Sequence, residues 1–280
     1  MLFTVYTRQQ LLKCIQTARS SGKKIGFVPT MGALHQGHIA LIRQAKASCD
    51  IVICSIFVNP TQFNNPTDLE KYPRTVAADR ALLYEANCDV LFLPEVSELY
   101  PDGLQLMPIN LNGLDTVMEG VFRPGHFAGM VTVVNHLFYA VMPDVAFFGE
   151  KDFQQLAIIK YMVNELNLPI SIVACATIRE TDGLAMSSRN IHLTTEERKQ
   201  ASVIFKTMEA CSKLKSDKTP GQLKQWVKNE IERSGIFGLE YVSFVDAATL
   251  QPLQQWQLAP QRICLAVTTS KTRLIDNMAL

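Results

Sequence analysis

The chain has 280 residues, a formal net charge of +1, 48% hydrophobic residues and 19% charged residues. This near-neutral balance argues against a general nucleic-acid binder or a membrane-surface protein, both of which carry a strong basic bias. No apolar run approaches the roughly 20 residues of a membrane span, and the length suits one large domain or two modest ones.

The seven cysteines (Cys14, Cys49, Cys54, Cys88, Cys175, Cys211 and Cys264) are odd in number and form no Cys-x-x-Cys pair. Most lie inside apolar runs, which reads as buried, reduced thiols. The N-terminus shows no basic start, long apolar stretch or small-residue cleavage site. A cytoplasmic setting is the expectation.

In chain order, the first clear strand covers residues 24–29 and is followed by a helix to about Ser48. The run from Asp50 to Val58 is β-branched and apolar at nearly every position, as a parallel strand buried on both faces should be. A helix from about Thr75 to Asn87 leads into Val90–Leu93, closed by Pro94. A helix near 127–142, a strand at 145–148, a helix near 152–167 and a strand at 170–174 follow. This alternation predicts an α/β fold, a Rossmann-like doubly wound parallel sheet with helices on both faces.

Near Leu193 the character changes. Thr194-Thr195-Glu196-Glu197 reads as a capped helix start, and an amphipathic helix spans about Pro220 to Arg233. Strand candidates at 239–245 and 263–269 complete a smaller C-terminal α+β domain. The expected division is 1–185 for the sheet domain and 186–280 for the smaller one. Neither G-x-x-x-x-G-K-[ST] nor G-x-G-x-x-G occurs, which removes the two commonest nucleotide fingerprints.

The most informative segment is Pro29-Thr-Met-Gly-Ala-Leu-His-Gln-Gly-His38. It places His35 and His38 where the first predicted strand ends and the first predicted helix begins. In an open α/β sheet, ligands bind in that crevice at the carboxyl ends of the strands. A helix N-terminus there favours anions, and two imidazoles add donors for charge developing on a phosphoryl group. Taken alone, the pair also fits a tight loop, a surface position or metal ligation. A metal site needs a third ligand, and no further His or Cys lies nearby.

Four more segments fall at strand ends or in loops. Phe57-Val-Asn-Pro-Thr-Gln-Phe63 offers Asn59 and Gln62, amides that donate and accept and so suit a small polar substrate; taken alone, the segment reads more readily as a turn with incidental amides. Arg123-Pro-Gly-His-Phe127 precedes a long helix; His126 there is structural or orients a loop. Phe148-Gly-Glu-Lys-Asp-Phe-Gln-Gln155 supplies Gly149 for close backbone approach, Lys151 for charge and Asp152 as an acceptor for ribose hydroxyls, and alone it also fits a solvated, charged helix start. Gln155 shares a helix face with Asp152. In Arg179–Asn190, Ser187 and Ser188 beside Arg189 suit a mobile triphosphate clamp, although Ser-Ser-Arg also fits an ordinary surface loop.

Together with Tyr72-Pro-Arg-Thr75, these segments resemble, in order and spacing, the pantoate–β-alanine ligases, also called pantothenate synthetases. The resemblance covers essentially the whole chain, and Leu274-Ile275-Asp276-Asn277 is also similar to the family. The His-x-Gly-His element and the Met-Ser-Ser-Arg loop resemble the signatures of the wider nucleotidylyl-transferase group and of class I aminoacyl-tRNA synthetases.

The resemblance implies ATP-dependent condensation of (R)-pantoate with β-alanine through a pantoyl adenylate, releasing AMP and pyrophosphate, on the way to coenzyme A. It implies Mg²⁺, a homodimer, and a smaller domain that covers the active site. Met31, Gly32, Ala33, Leu34, His35, Gln36, Gly37 and His38 would line the ATP site, with His38 at the proton-donor position. Gly149, Glu150, Lys151 and Asp152 would match the second ATP segment, Ile178 an adenine contact, and Met186, Ser187, Ser188 and Arg189 the phosphate-side loop. Gln62 would touch both pantoate and β-alanine with Asn59 beside it, and Gln155 would be a second pantoate contact. His35, His38, Lys151 and Arg189 are the expected catalytic donors; no metal ligand is assigned.

Two departures are Thr61, where the family commonly has a long aliphatic residue, and Ala128. Two rivals differ in what they would require. A simple nucleotidyl transferase, such as a phosphopantetheine adenylyltransferase, has no need of Asn59, Gln62 and Gln155. A non-catalytic ATP-binding regulator would be free to lose phosphate-side donors that are all present here.

Overall fold

A computed structural model describes residues 1–63, 69–70 and 72–280. Among these, six strands form one wholly parallel sheet: β1 (Phe3–Val5), β2 (Ile25–Thr30), β3 (Ile51–Ile56), β4 (Val90–Phe92), β5 (Val145–Gly149) and β6 (Ser171–Cys175). The helices that connect them are α1 (Arg8–Ser20), α2 (Gln36–Ser48), α3 (Val76–Glu85), α4 (His126–Val141) and α5 (Phe153–Glu165). The strand order is β1-β4-β3-β2-β5-β6. Successive crossovers therefore run one way from β2 through β3 to β4, and the other way through β5 to β6. The reversal lies between β2 and β5, and a crevice for ligands opens at such a point.

Alternation along the strands supplies two buried faces. Phe27 of β2 meets Phe138 of α4 edge-on at 6.4 Å, and Phe138 meets Phe148 of β5 at 6.3 Å. The neighbouring residues Val28 and Phe147 belong to the opposite cluster, with Ile39, Ile42 and Ala45 of α2 and Leu83 of α3. The expected doubly wound sheet is thus present. One detail differs: β1 and α1 precede the strand that carries the histidine segment, so that strand is second in the chain. α1 opens on a reciprocal cap in which Thr7 accepts from the Gln10 backbone and the Gln10 side chain accepts from Thr7.

The described residues divide into two compact units at Ala176/Thr177, and residues 113–121 and 151–154 cluster with the second. Set beside the expected boundary at 185, the second unit also takes in 177–185. It contains α6 (Thr195–Gln200), α7 (Ser202–Leu214), α8 (Pro220–Glu232) and the antiparallel strands β7 (Gly238–Asp246), β8 (Gln261–Thr268) and β9 (Arg273–Ala279), in the order β7-β8-β9. Ile204, Met208 and Cys211 of α7 and Leu223, Val227 and Ile231 of α8, spaced for one helical face, pack with Phe244, Ile263 and Leu265 of the sheet. β9 was not among the expected strands.

The capped start at Thr194 forms as expected. The Glu197 backbone donates to Thr194 Oγ1 at 3.2 Å, and the Glu197 carboxylate accepts from Ser270 N and Thr194 N, each at 2.7 Å. These backbone donors, Ser270 first, hold the Glu197 carboxyl down at about 2. A depressed folded value means that this stabilisation is complete above the usual 4.5 and is lost as pH falls towards 2. Glu197→Gln should therefore be less stable than the parent at pH 7, with the gap in melting temperature closing between pH 4.5 and about 2. A gap that stays constant through that window would refute the assignment.

All seven cysteines are unpaired; six are buried and Cys14 is half-buried. Burial pushes the Cys88, Cys211 and Cys264 thiols up to about 12, so they stay protonated and inert at neutral pH. No helix among the described residues is long and apolar enough to cross a membrane.

Candidate active site

The chain leaves β2 at Thr30 and must turn sharply to start α2 at Gln36. Gly32 (φ +85°) and Ala33 (φ +50°) make the turn in the left-handed region. A Cβ on Gly32 would lie 3.0 Å from the Ile56 side chain and 3.2 Å from Asp79 Oδ2, so the position admits little else. Asp79 of α3, 1% exposed, pins the turn. Its Oδ2 accepts from Ala33 N at 3.1 Å, its Oδ1 accepts from Leu34 N at 2.8 Å, and Thr75 Oγ1 donates to Oδ1 at 3.2 Å. Sequence reasoning missed Asp79, since an acid in Ala-Ala-Asp-Arg looks like any solvated helix charge.

His35 then serves as the N-cap of α2 in extended conformation. Its Nδ1 accepts from Gly37 N at 3.1 Å, while Nδ1 of His38 accepts from His35 N at 3.3 Å. The two imidazoles form a reciprocal capping box, in the roles usually played by a hydroxyl and a Glu or Gln. Their ring centroids are 4.2 Å apart. Because each Nδ1 accepts, the proton of each neutral ring resides on Nε2. Both histidines are thereby fixed as Nε2–H donors at a helix N-terminus, where the dipole already favours negative charge.

The second strand-end segment is built around Asn59, which is 1% exposed. Its Nδ2 donates to Gly129 O at 3.1 Å and to Gln62 Oε1 at 3.2 Å. Its Oδ1 accepts from Tyr100 Oη at 2.8 Å and from Thr61 Oγ1 at 3.1 Å. Burial raises the Tyr100 phenol, which keeps it a donor. A Cβ on Gly129 would come within 2.2 Å of Thr61 O, so α4 and the Pro60–Gln62 turn approach as only a glycine permits. The amide of Asn59 is thus occupied by protein partners, and its geometry suits orienting Gln62. With Gln62 Oε1 turned towards Asn59, its Nε2 points to Met31, 2.9 Å from Sδ. Buried His126, through Nδ1, lies 2.9 Å from Gln62 O and holds the same residue by its backbone. Thr61, the departure noted in the sequence, joins the Tyr100–Asn59 network.

Gly149 and Glu150 stand at the end of β5, the other flank of the switch point, and Gln155 lies half-buried on α5. A Cβ on Gly149 would meet nothing within 4 Å, so packing does not call for glycine there. A cavity of about 550 Å³ opens beyond the ends of β3 and β4, with Met31, Gly32, Phe57, Val58 and Asp79 in its wall. It reaches the expected nucleotide segment only at Met31 and Gly32, and the histidines take no part in it.

Lys151, Asp152, Ile178, Met186, Ser187, Ser188 and Arg189 belong to the second unit. Lys151 Nζ lies 3.7 Å from Asp152 Oδ1. The Ile178 carbonyl accepts from Met186 N at 2.9 Å, and Ser187 caps a short 3₁₀ turn by accepting from Arg189 N at 3.2 Å. The Arg189 side chain is solvent-exposed.

Known proteins resemble the chain over its full length. The family model described as pantoate-beta-alanine ligase matches residues 4–279. The pantothenate synthetase of Porphyromonas gingivalis is 48% identical over 273 residues, 97% of each chain, and that of Christiangramia forsetii is 45% identical over 275 residues. Among solved structures, the Thermus thermophilus enzyme superposes with a TM-score of 0.90 at 40% identity, covering 99% of both chains. The Francisella tularensis pantoate-beta-alanine ligase, complexed with beta-gamma ATP and β-alanine, gives 0.80 at 37% identity over 99% of this chain and 97% of that one. With a family model running from residue 4 to 279 and relatives nearly half identical, the chain belongs to the pantoate–β-alanine ligase family.

Proposed function

We propose that this chain condenses pantoate with β-alanine using ATP, and that the paired histidines at the start of α2 stabilise the adenylation step. The observation that carries this reading is the reciprocal His35–His38 cap, which fixes two Nε2–H donors at a helix N-terminus beside the switch point. The Francisella relative, complexed with beta-gamma ATP and β-alanine, supports ATP and β-alanine as substrates here.

In the first half-reaction a pantoate carboxylate oxygen attacks the α-phosphorus of ATP and pyrophosphate leaves. Negative charge grows on the non-bridging oxygens and on the leaving group. His35, His38, Lys151 and Arg189 are the donors assigned to that charge, each worth about 2.7–4 kcal/mol in the transition state. Gln62, its amide turned by Asn59 so that the N–H₂ faces outward from that bond, is assigned to the pantoate oxygens, with Gln155 as a second contact. In the second half-reaction the β-alanine amine attacks the acyl carbonyl of the adenylate, loses a proton, and AMP departs. Met31–His38, Gly149–Asp152, Ile178 and Met186–Arg189 are the segments assigned to ATP.

Mg²⁺ would enter with ATP, held chiefly by phosphate oxygens and water, and would supply neutralisation of phosphate charge. A cytoplasmic homodimer completes the proposal; unpaired thiols suit a reducing compartment.

Exchange of labelled pyrophosphate into ATP should require pantoate and proceed without β-alanine. Exchange that ignores pantoate, or that demands β-alanine, would overturn the adenylate mechanism. Asp79 offers a second check. Asp79→Asn removes one of two acceptors for Ala33 N and Leu34 N, which should cost about 1–3 kcal/mol of stability. It should raise KM for ATP more than KM for pantoate, because the turn it pins leads into the histidines; equal changes in both would count against that link.

A further inference from the structure

We infer that Asp276 and Asn277, neighbours on β9, are positioning residues for adenylation: Asn277 sets the backbone of Lys151, and Asp276 sets the hairpin that carries the Met186–Arg189 loop. The inference rests on the assignment of Lys151 and that loop to the phosphates.

Asn277 is buried, and its Nδ2 donates to the Lys151 carbonyl at 2.8 Å. Its Oδ1 accepts from the Arg262 guanidinium, which in turn lies over the Phe153 ring at 4.1 Å from the centroid. One amide thus grips the 151–153 segment twice: directly at the Lys151 peptide, and through Arg262 at Phe153. The Asn277 N–H donates to Asp276 Oδ1 at 2.7 Å, which ties the two residues together.

Asp276, equally buried, takes both arms of Arg179, from Nη1 at 2.6 Å and from Nη2 at 3.0 Å. This bidentate, charge-assisted pair fixes direction as well as distance. Arg179 also donates to Gly183 O at 3.0 Å and stacks over Phe205 at 4.0 Å. It sits in a small hairpin turn: Arg179 forms an isolated antiparallel bridge with Ala185, Glu180 N donates to Leu184 O at 2.8 Å, and Met186 N donates to Ile178 O at 2.9 Å. The hairpin delivers the chain to Met186, and Asn190 Nδ2 closes the far side of the loop on Ala185 O at 3.1 Å. Adjacent residues of a strand project to opposite faces, so one strand can hold two segments that are remote in sequence. Displacement of a reacting or stabilising group by about 1 Å can cost a hundredfold in rate, so such anchors bear on kcat.

The test is Asn277→Asp, which keeps the shape and the acceptor for Arg262 but turns an oxygen towards the Lys151 carbonyl. Asp276→Asn, which weakens the fork to Arg179, is the independent second variant should the first fail to fold. For each, pantoate-dependent pyrophosphate exchange should lose at least roughly tenfold in kcat per titrated active site. KM for pantoate should stay within about twofold, because Gln62 and Gln155 are untouched. Ile231→Val, in the core of the same unit, lowers melting temperature without touching either anchor and should leave kcat per active site unchanged. A kcat within about twofold of the parent in both anchor variants, or a loss matched by Ile231→Val at equal melting temperature, overturns the inference. Lys151→Ala separates the two levels. If it turns over normally, the phosphate assignment itself is wrong; if it is inactive while both anchor variants are normal, only the positioning role falls.

Discussion

His38→Ala should lose turnover by roughly 100-fold or more, and His38→Gln should lose nearly as much while keeping the stability that the alanine variant gives up. On the proposed mechanism His38 does two jobs with two nitrogens. Nδ1 accepts from His35 N and completes the cap of α2. Alanine forfeits that cap, at about 0.5–2 kcal/mol. Glutamine at the same position is the usual capping-box partner, and its amide oxygen can accept the His35 N–H in place of Nδ1. Neither residue supplies the imidazole Nε2–H, and loss of one donor to developing oxyanion charge is worth about 2.7–4 kcal/mol. Single-turnover adenylation and thermal unfolding, measured side by side on both variants, check the two jobs separately. Near-normal adenylation in His38→Gln would reduce His38 to a capping residue and remove it from the chemistry.

That division of labour could not be read from the sequence, although the location could. Pro-Thr-Met-Gly followed by Leu-His-x-Gly-His marks a strand that stops and a helix that starts, and β2 and α2 fall within a residue or two of the expected bounds. What stayed hidden were partners brought in from a distance. Asn59 reads as an amide aimed at substrate, yet its oxygen is held by Tyr100, 41 residues away, and its nitrogen by Gly129, 70 residues away. Asp79 gains its importance only because α3 lies under the Gly32–Leu34 turn. In the first twenty residues, Thr7 and Gln10 spell a capping box ahead of α1, a signal the sequence does carry. β9 was masked by its own chemistry. Arg273, Asp276 and Asn277 break an apolar pattern, and they are tolerated inside a strand because each has a specific internal partner.

Arg273 is the point at which the second unit should prove most vulnerable. Its two terminal nitrogens each lie 2.7 Å from a Glu119 oxygen, and its Nε donates to Glu240 Oε2 at 2.6 Å. Tyr241 Oη donates to Glu119 Oε1 at 2.8 Å, and the two carboxylates hold the Arg273 guanidinium well above its usual range despite burial. Glu119 lies in the 113–121 segment, far in sequence from the sheet it joins. The buried amide of Gln154 fastens the same segment by donating to Leu114 O at 2.7 Å and Val117 O at 2.9 Å. Removing one member of a buried pair strands the other charge, at about 3–5 kcal/mol. Since Arg273 would retain Glu240, Glu119→Leu should cost about 3 kcal/mol, the low end of that range. At about 2–4 °C per kcal/mol, the melting temperature should drop by about 10 °C. Arg273→Met should cost a comparable amount, by stranding Glu119 against Glu240. Combining Glu119→Leu with Arg273→Met should recover most of the loss, because an apolar pair of similar volume carries no desolvation penalty. A double-mutant cycle with additive losses would mean that the pair is not energetically coupled, and that shape alone holds the 113–121 segment in place.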